Sequence, residues 1–99
     1  MLKVTFQIDA RREFLDAQDY YDSEQPGLGQ EFVIAIQNEC VEIAKKPEVW
    51  SLVYGGIRKY HVTRFPYLIY YSIRPEDIYI LAVAHCSRSP FYWIDRVDS

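Results

Sequence analysis

The hydrophobic period of this chain changes once, at Pro47, and that change limits what it can fold into. Before Pro47, apolar residues recur at helical spacing; after it they alternate or run together, as in strands. From Ala10 to about Ser23, Phe14, Ala17 and Tyr21, with Leu15, repeat at helical intervals. Asp16, Asp19 and Asp22 make the other face acidic and read as a solvated surface, not a metal site. Gln25-Pro26-Gly27 breaks the pattern. A second helix is predicted from about Leu28 to Lys46, with Leu28, Phe32, Val33, Ile36, Cys40, Ile43 and Ala44 on one stripe. Lys45 and Lys46 suit its negative C-terminal end, and Pro47 stops it. Two helices joined by so short a break form a helical hairpin.

Strands flank this hairpin. Leu2 to Ile8 alternates apolar and polar residues, which predicts a half-buried strand with Asp9 as the N-cap of the first helix. Ile57 to Val62 alternates loosely. Tyr67 to Ile73 is aromatic and β-branched, and Ile78 to His85 is almost continuously apolar, as in a strand covered on both faces. The breaks Thr63-Arg64-Phe65-Pro66 and Arg74-Pro75-Glu76-Asp77 are too short for parallel crossovers, which need about a dozen residues. The expected fold is therefore α+β, in the order β-α-α-β-β-β, with the helical hairpin packed on a mostly antiparallel twisted sheet. At 99 residues this is a single domain, 1–99. Gly55-Gly56 reads as a turn, and the tail Ser89-Pro90-Phe91-Tyr92-Trp93 is aromatic.

Charge divides along the chain. Residues 1–56 carry 10 Asp/Glu against 5 Lys/Arg, while residues 57–99 carry 6 Lys/Arg against 4 acids, so an anion-binding face is expected in the C-terminal half. The overall charge of -3 argues against a non-specific nucleic-acid coat. No apolar run reaches the ~18 residues that span a bilayer, and the first residues do not resemble a signal peptide, so the expected location is cytoplasmic. Cys40 and Cys86 are then expected as buried free thiols. Adjacent strand residues such as His85 and Cys86 point to opposite faces and no C-x-x-C occurs, so no metal site and no cofactor are expected. Walker, G-x-S-x-G and G-x-G-x-x-G motifs are absent.

Several short segments, in order, carry a resemblance: Tyr20-Tyr21, Gly29 and Phe32, Pro47, Ile57-Arg58 and Val62. Arg64-Phe65-Pro66-Tyr67-Leu68-Ile69-Tyr70-Tyr71, and His85 with Arg88-Ser89-Pro90 and Tyr92-Trp93, complete it. Over nearly its whole length the chain resembles the RelE/ParE superfamily, the toxins of type II toxin–antitoxin modules, including plasmid stabilisation proteins. The resemblance implies a growth-inhibiting protein neutralised by a cognate antitoxin whose disordered segment folds onto it. One branch cuts mRNA on the ribosome; the ParE-like branch inhibits DNA gyrase. The Arg64–Tyr67 run followed by Tyr70-Tyr71 looks more ParE-like. The strand lysines of the ribonuclease branch fall on Lys59 and His61, its two arginines on Leu68 and Cys86, and its C-terminal tyrosine on Tyr92. Arg88 lies two residues from the second arginine position.

RNA cleavage through the 2′-hydroxyl needs a base, a cation for the phosphate and an acid for the leaving oxygen. His61 or His85 is the candidate base or acid, Arg88 a phosphate clamp and Tyr92 a stacking or proton-positioning group. Arg58, Lys59 and Arg64 are the candidate phosphate- or target-binding cations. Alternation places His61 on the face of Lys59. Each has a plainer reading: strand-end histidines as hydrogen-bonders, arginines paired with carboxylates, Tyr92 and Trp93 as core or partner-facing rings. Three functions follow: a gyrase-directed toxin, a ribosome-dependent mRNA endonuclease, and a non-toxic relative that only binds a partner protein.

Overall fold

A computed structural model describes residues 2–97 of the chain. Strand β1 (Lys3–Phe6) is followed by helices α1 (Ile8–Glu24) and α2 (Leu28–Lys45). Strands β2 (Ser51–Tyr54), β3 (Ile57–His61), β4 (Tyr67–Ile73) and β5 (Asp77–His85) then lead to a 3-10 turn at Ile94–Arg96. The sheet order is β1-β5-β4-β3-β2. Every neighbouring pair is antiparallel except β1 with β5. The α+β class, the helical hairpin and the mostly antiparallel sheet are as expected, with one strand more than the sequence suggested.

That strand, β2, forms a two-residue hairpin with β3 through Gly55-Gly56, where Gly55 takes a positive φ of 51°. The first strand is shorter than expected. It ends at Phe6 because Gln7, not Asp9, caps α1. The Gln7 amide donates to the Ile80 carbonyl at 2.9 Å, turning the chain, and its Oε1 accepts from Asp9 N at 2.7 Å and Ala10 N at 3.1 Å. Ile8, expected in the strand, is exposed in the first helical turn. At the hairpin, Asp22 is not merely solvated: its Oδ1 accepts the Gly29 amide at 2.7 Å and caps α2. Gly29 lies against α1 so closely that a Cβ would sit 2.4 Å from the Gln18 carbonyl oxygen.

The sheet carries a core on each face. On the helix side Phe32, Ile36, Ile43, Ile69, Tyr71, Ile78 and Ile80 pack with Ala10 and Ala17. On the far side the C-terminal segment folds back, and Trp93, fully buried, covers Tyr70, Leu81, Ala82 and Ala84. Tyr70 and Tyr71 accordingly place one ring in each core. A β-bulge interrupts the β4–β5 pairing at this point: Tyr70 pairs with Ala82 and Tyr71 with Ile80. Leu81 and Ala82 therefore both face the C-terminal segment, and Val83 returns to the helix side.

Candidate functional site

The bulge decides where the histidines go. In an unbroken β5, His85 would share the face of Tyr79 and Leu81, which is the face of Lys59 and His61. The extra residue reverses the alternation, and His85 turns to the helix side, its ring edge-on to Tyr67 at 5.3 Å. On β3, Tyr60 lies in the helix-side core, so His61 and Lys59 face the other way, as alternation predicted. His61 and His85 thus lie on opposite sides of the sheet and do not form a base–acid pair.

His85 and Arg88 do come together, and Tyr92 lies under Arg88. A recess of about 240 Å³ opens between α1 and the ends of β4 and β5, with Asp16 and Tyr20 on one wall and Tyr67, His85 and Arg88 on the other. The Ser87 amide donates to His85 Nδ1 at 3.0 Å, with the Ser87 hydroxyl at 2.8 Å, so the neutral ring carries its proton on Nε2. Arg88 lies 3.8 Å over the Tyr92 ring and makes no ion pair among the described residues. Burial pushes the Tyr67 phenol up to about 12, so it stays protonated at neutral pH.

Tyr92 is held by a residue that the sequence reading passed over. Its hydroxyl donates to Glu13 Oε2 at 2.5 Å, and Arg96 grips the same carboxylate with Nη1 at 2.9 Å and Nη2 at 3.0 Å. Glu13 Oε1 also accepts the Val83 amide at 3.0 Å, and Arg96 reaches the Leu81 carbonyl at 3.2 Å. Pairing with β1 ends at Phe6 opposite Ile80, so these two side chains complete the hydrogen bonding of β5 beyond it. Burial first, then the hydrogen bond to Glu13, pushes the Tyr92 phenol well above its ordinary range. The one signal for Glu13 in the sequence is its place between Ala10 and Ala17, the two small residues that bring α1 close to the sheet.

Two of the candidate cations are engaged elsewhere. Arg58 Nη1 donates to the carbonyls of Glu48 at 3.0 Å and Trp50 at 2.7 Å, tying down the connection from α2 to β2. Arg64 pairs with Glu31 of α2 and lies beside the Phe65 ring. Lys59 has no ion-pair partner among the described residues. Cys40 is buried, its thiol pushed up to about 12 by burial, but Cys86 is exposed in the turn after β5, against the expectation that both thiols are buried. No group of three or more His, Cys, Asp or Glu among the described residues is placed to hold a metal ion. A second depression, about 370 Å³ and mostly apolar, lies between β1, α1 and α2, lined by Val4, Phe6, Phe14, Cys40, Val41 and Ala44. No described helix is long and apolar enough to cross a membrane.

This architecture is shared with a chain of the chromosomal ParDE toxin–antitoxin system from P. aeruginosa. The likeness covers 86% of this chain and 96% of that one, with a TM-score of 0.63 at 15% identity, so it speaks for the fold alone. No curated protein sequence matches the chain significantly. Residues 4–90 match the family model described as the ParE toxin of the type II toxin–antitoxin system, parDE. With the match running from β1 through β5 to Pro90, the chain belongs to the ParE toxin family of type II toxin–antitoxin systems.

Proposed function

We propose that this toxin arrests growth by binding DNA gyrase in the cytoplasm, without catalysis of its own, and that a cognate antitoxin neutralises it. The observation that carries the reading is the dispersal of the groups that RNA cleavage would need. His61 and His85 are on opposite faces, the Tyr92 hydroxyl is committed to Glu13, and Arg58 and Arg64 are engaged in structural contacts. Leu68 and Cys86 stand where the ribonuclease branch has arginines. A binding toxin requires none of these groups to converge.

The antitoxin is assigned to the apolar depression between β1, α1 and α2. It offers both an unpaired strand edge on β1 and an apolar floor, a combination that suits a segment folding as it binds. The competing reading, a ribosome-dependent mRNA endonuclease, draws on one observation: His85 and Arg88 line one recess, and Arg88 lies over the Tyr92 ring. Purified toxin added to gyrase and relaxed plasmid separates the two. Loss of supercoiling supports the gyrase reading. Intact supercoiling together with mRNA cut on translating ribosomes, and cleavage lost in His85→Ala and Arg88→Ala, would replace it.

A further inference from the structure

Phe91 is the only non-glycine among the described residues with a positive φ, at 65°, and it is also exposed. Its ring stands 6.5 Å from that of Tyr54 in β2 and 5.6 Å from the buried Trp93. Tyr54 is 51% exposed and Phe91 46%. A turn that needed only this backbone shape would favour Gly or Asn, and here it carries a large ring facing solvent. The two rings rise from opposite chain segments, the β2–β3 hairpin and the tail, and form one aromatic ledge anchored on Trp93.

The sheet face beside the ledge carries positive charge and no carboxylate. Tyr54 pairs with Ile57 at the start of β3, and the next positions on that face are Lys59, opposite Ser51 and Tyr70, and His61, opposite Leu68. No carboxylate occupies this face of β2, β3 or β4; the tail contributes Asp95, exposed in the 3-10 turn. Nine of the chain's acids lie instead on α1 and α2, behind the sheet. An aromatic pair beside an uncompensated lysine fits an apolar notch rimmed by acidic residues.

We infer that the Tyr54–Phe91 ledge with Lys59 is the surface by which the toxin engages its target, and that its occupant is an acidic protein surface on gyrase. The inference rests on the proposed function and adds the place of contact. It puts target binding on the far face of the sheet, away from the apolar depression between β1, α1 and α2. Antitoxin and target would then occupy different sides of the toxin.

The test compares wild type with Phe91→Gly, Lys59→Glu and Lys59→Arg, in induced cells and with purified gyrase. Glycine suits the backbone at 91, so Phe91→Gly removes the ring without asking the turn to change. Near-ultraviolet circular dichroism and thermal melting check that each variant is folded. Growth arrest and half-maximal inhibition of supercoiling should each require at least tenfold more Phe91→Gly or Lys59→Glu, with Lys59→Arg within about twofold of wild type. Folded variants that arrest growth as wild type does would overturn the ledge, whatever the target. If wild type leaves gyrase untouched but toxicity still depends on the ledge, the gyrase assignment fails and the surface stands for another target. A wild-type chain that arrests nothing overturns both. Sedimentation showing a dimer that Phe91→Gly dissociates would assign the face to a second copy. A gel shift of DNA alone that Lys59→Glu abolishes would assign it to nucleic acid. Either result overturns the proposed occupant.

Discussion

Glu13→Ala should be among the most damaging single changes in the chain that leave the apolar core intact. The carboxylate accepts four hydrogen bonds, from Val83 N, Tyr92 Oη and two nitrogens of Arg96, and the Glu13 and Arg96 side chains are each only 16% exposed. Among the described residues, truncation leaves Arg96 with Asp9 at 3.9 Å and the Leu81 carbonyl at 3.2 Å, and takes the acceptor from Val83 N and Tyr92 Oη. Removing one partner of a mostly buried ion pair costs about 3–5 kcal/mol, because the other charge stays in place. Water reaching a 16% exposed site lowers this, so about 3 kcal/mol is expected. Glu13→Gln keeps the shape and an acceptor for Val83 N, and should cost about 2 kcal/mol. For a domain of this size, about 3 kcal/mol lowers Tm by roughly 12–24 °C. Urea unfolding followed by tryptophan fluorescence measures it, since Trp93 sits in the segment that Glu13 ties down. In a double-mutant cycle with Arg96→Met, the pair should couple by at least about 1 kcal/mol. A loss below about 1 kcal/mol in Glu13→Ala, or additive effects in the cycle, would refute the view that this carboxylate holds the tail to the sheet.

Gly29→Ala should destabilise by about 2 kcal/mol or more, because the new Cβ meets the backbone of α1 at Gln18 and the hairpin must open; urea unfolding reads the loss. A thiol reagent should label Cys86 within minutes in the native protein and Cys40 only on unfolding; equal rates would contradict their placement. Asp77 is held near 2, below its ordinary 3.8, chiefly by its hydrogen bonds from Arg74. Its stabilisation is therefore complete above about pH 4 and lost as pH falls through about 2. Asp77→Asn should flatten that part of the stability–pH curve and leave the slope near neutrality unchanged.

The helical hairpin was legible because its stripe is long and punctuated. Phe32, Ile36, Cys40 and Ile43 mark one face over several turns, and Pro26-Gly27 and Pro47 mark the ends. β2 was not legible, since Ser51, Leu52 and Tyr54 are exposed and a bulge spoils its alternation. The site suffered from one hidden event. Leu81 and Ala82 are both apolar, so a continuous run conceals the bulge, and without the bulge the face of His85 cannot be assigned. Lys59 and His61, on a strand that pairs with β4 without a register shift, were placed correctly. Glu13 escaped because a glutamate in an acidic helix looks solvated, and its burial depends on a tail some 80 residues away in sequence.

The basic C-terminal half suggested an anion-binding face, and the structure removes most of the evidence for one. Of its six Lys/Arg residues, Arg64, Arg74 and Arg96 are in ion pairs and Arg58 clasps backbone carbonyls. Lys59 and Arg88 are left, on different faces of the sheet. A protein that held RNA through these two would release few counterions. The slope of log K against log salt for single strands would be about -1.4, from about -0.7 per neutralised phosphate. Binding titrations of a short RNA across a salt series test this. A shallow slope with weak affinity fits a chain whose positive charge is mostly engaged in holding the fold. A slope near -4 or steeper would require several more phosphate contacts, hence release of Arg58, Arg64 or Arg96 from their present partners, and would restore the nuclease reading.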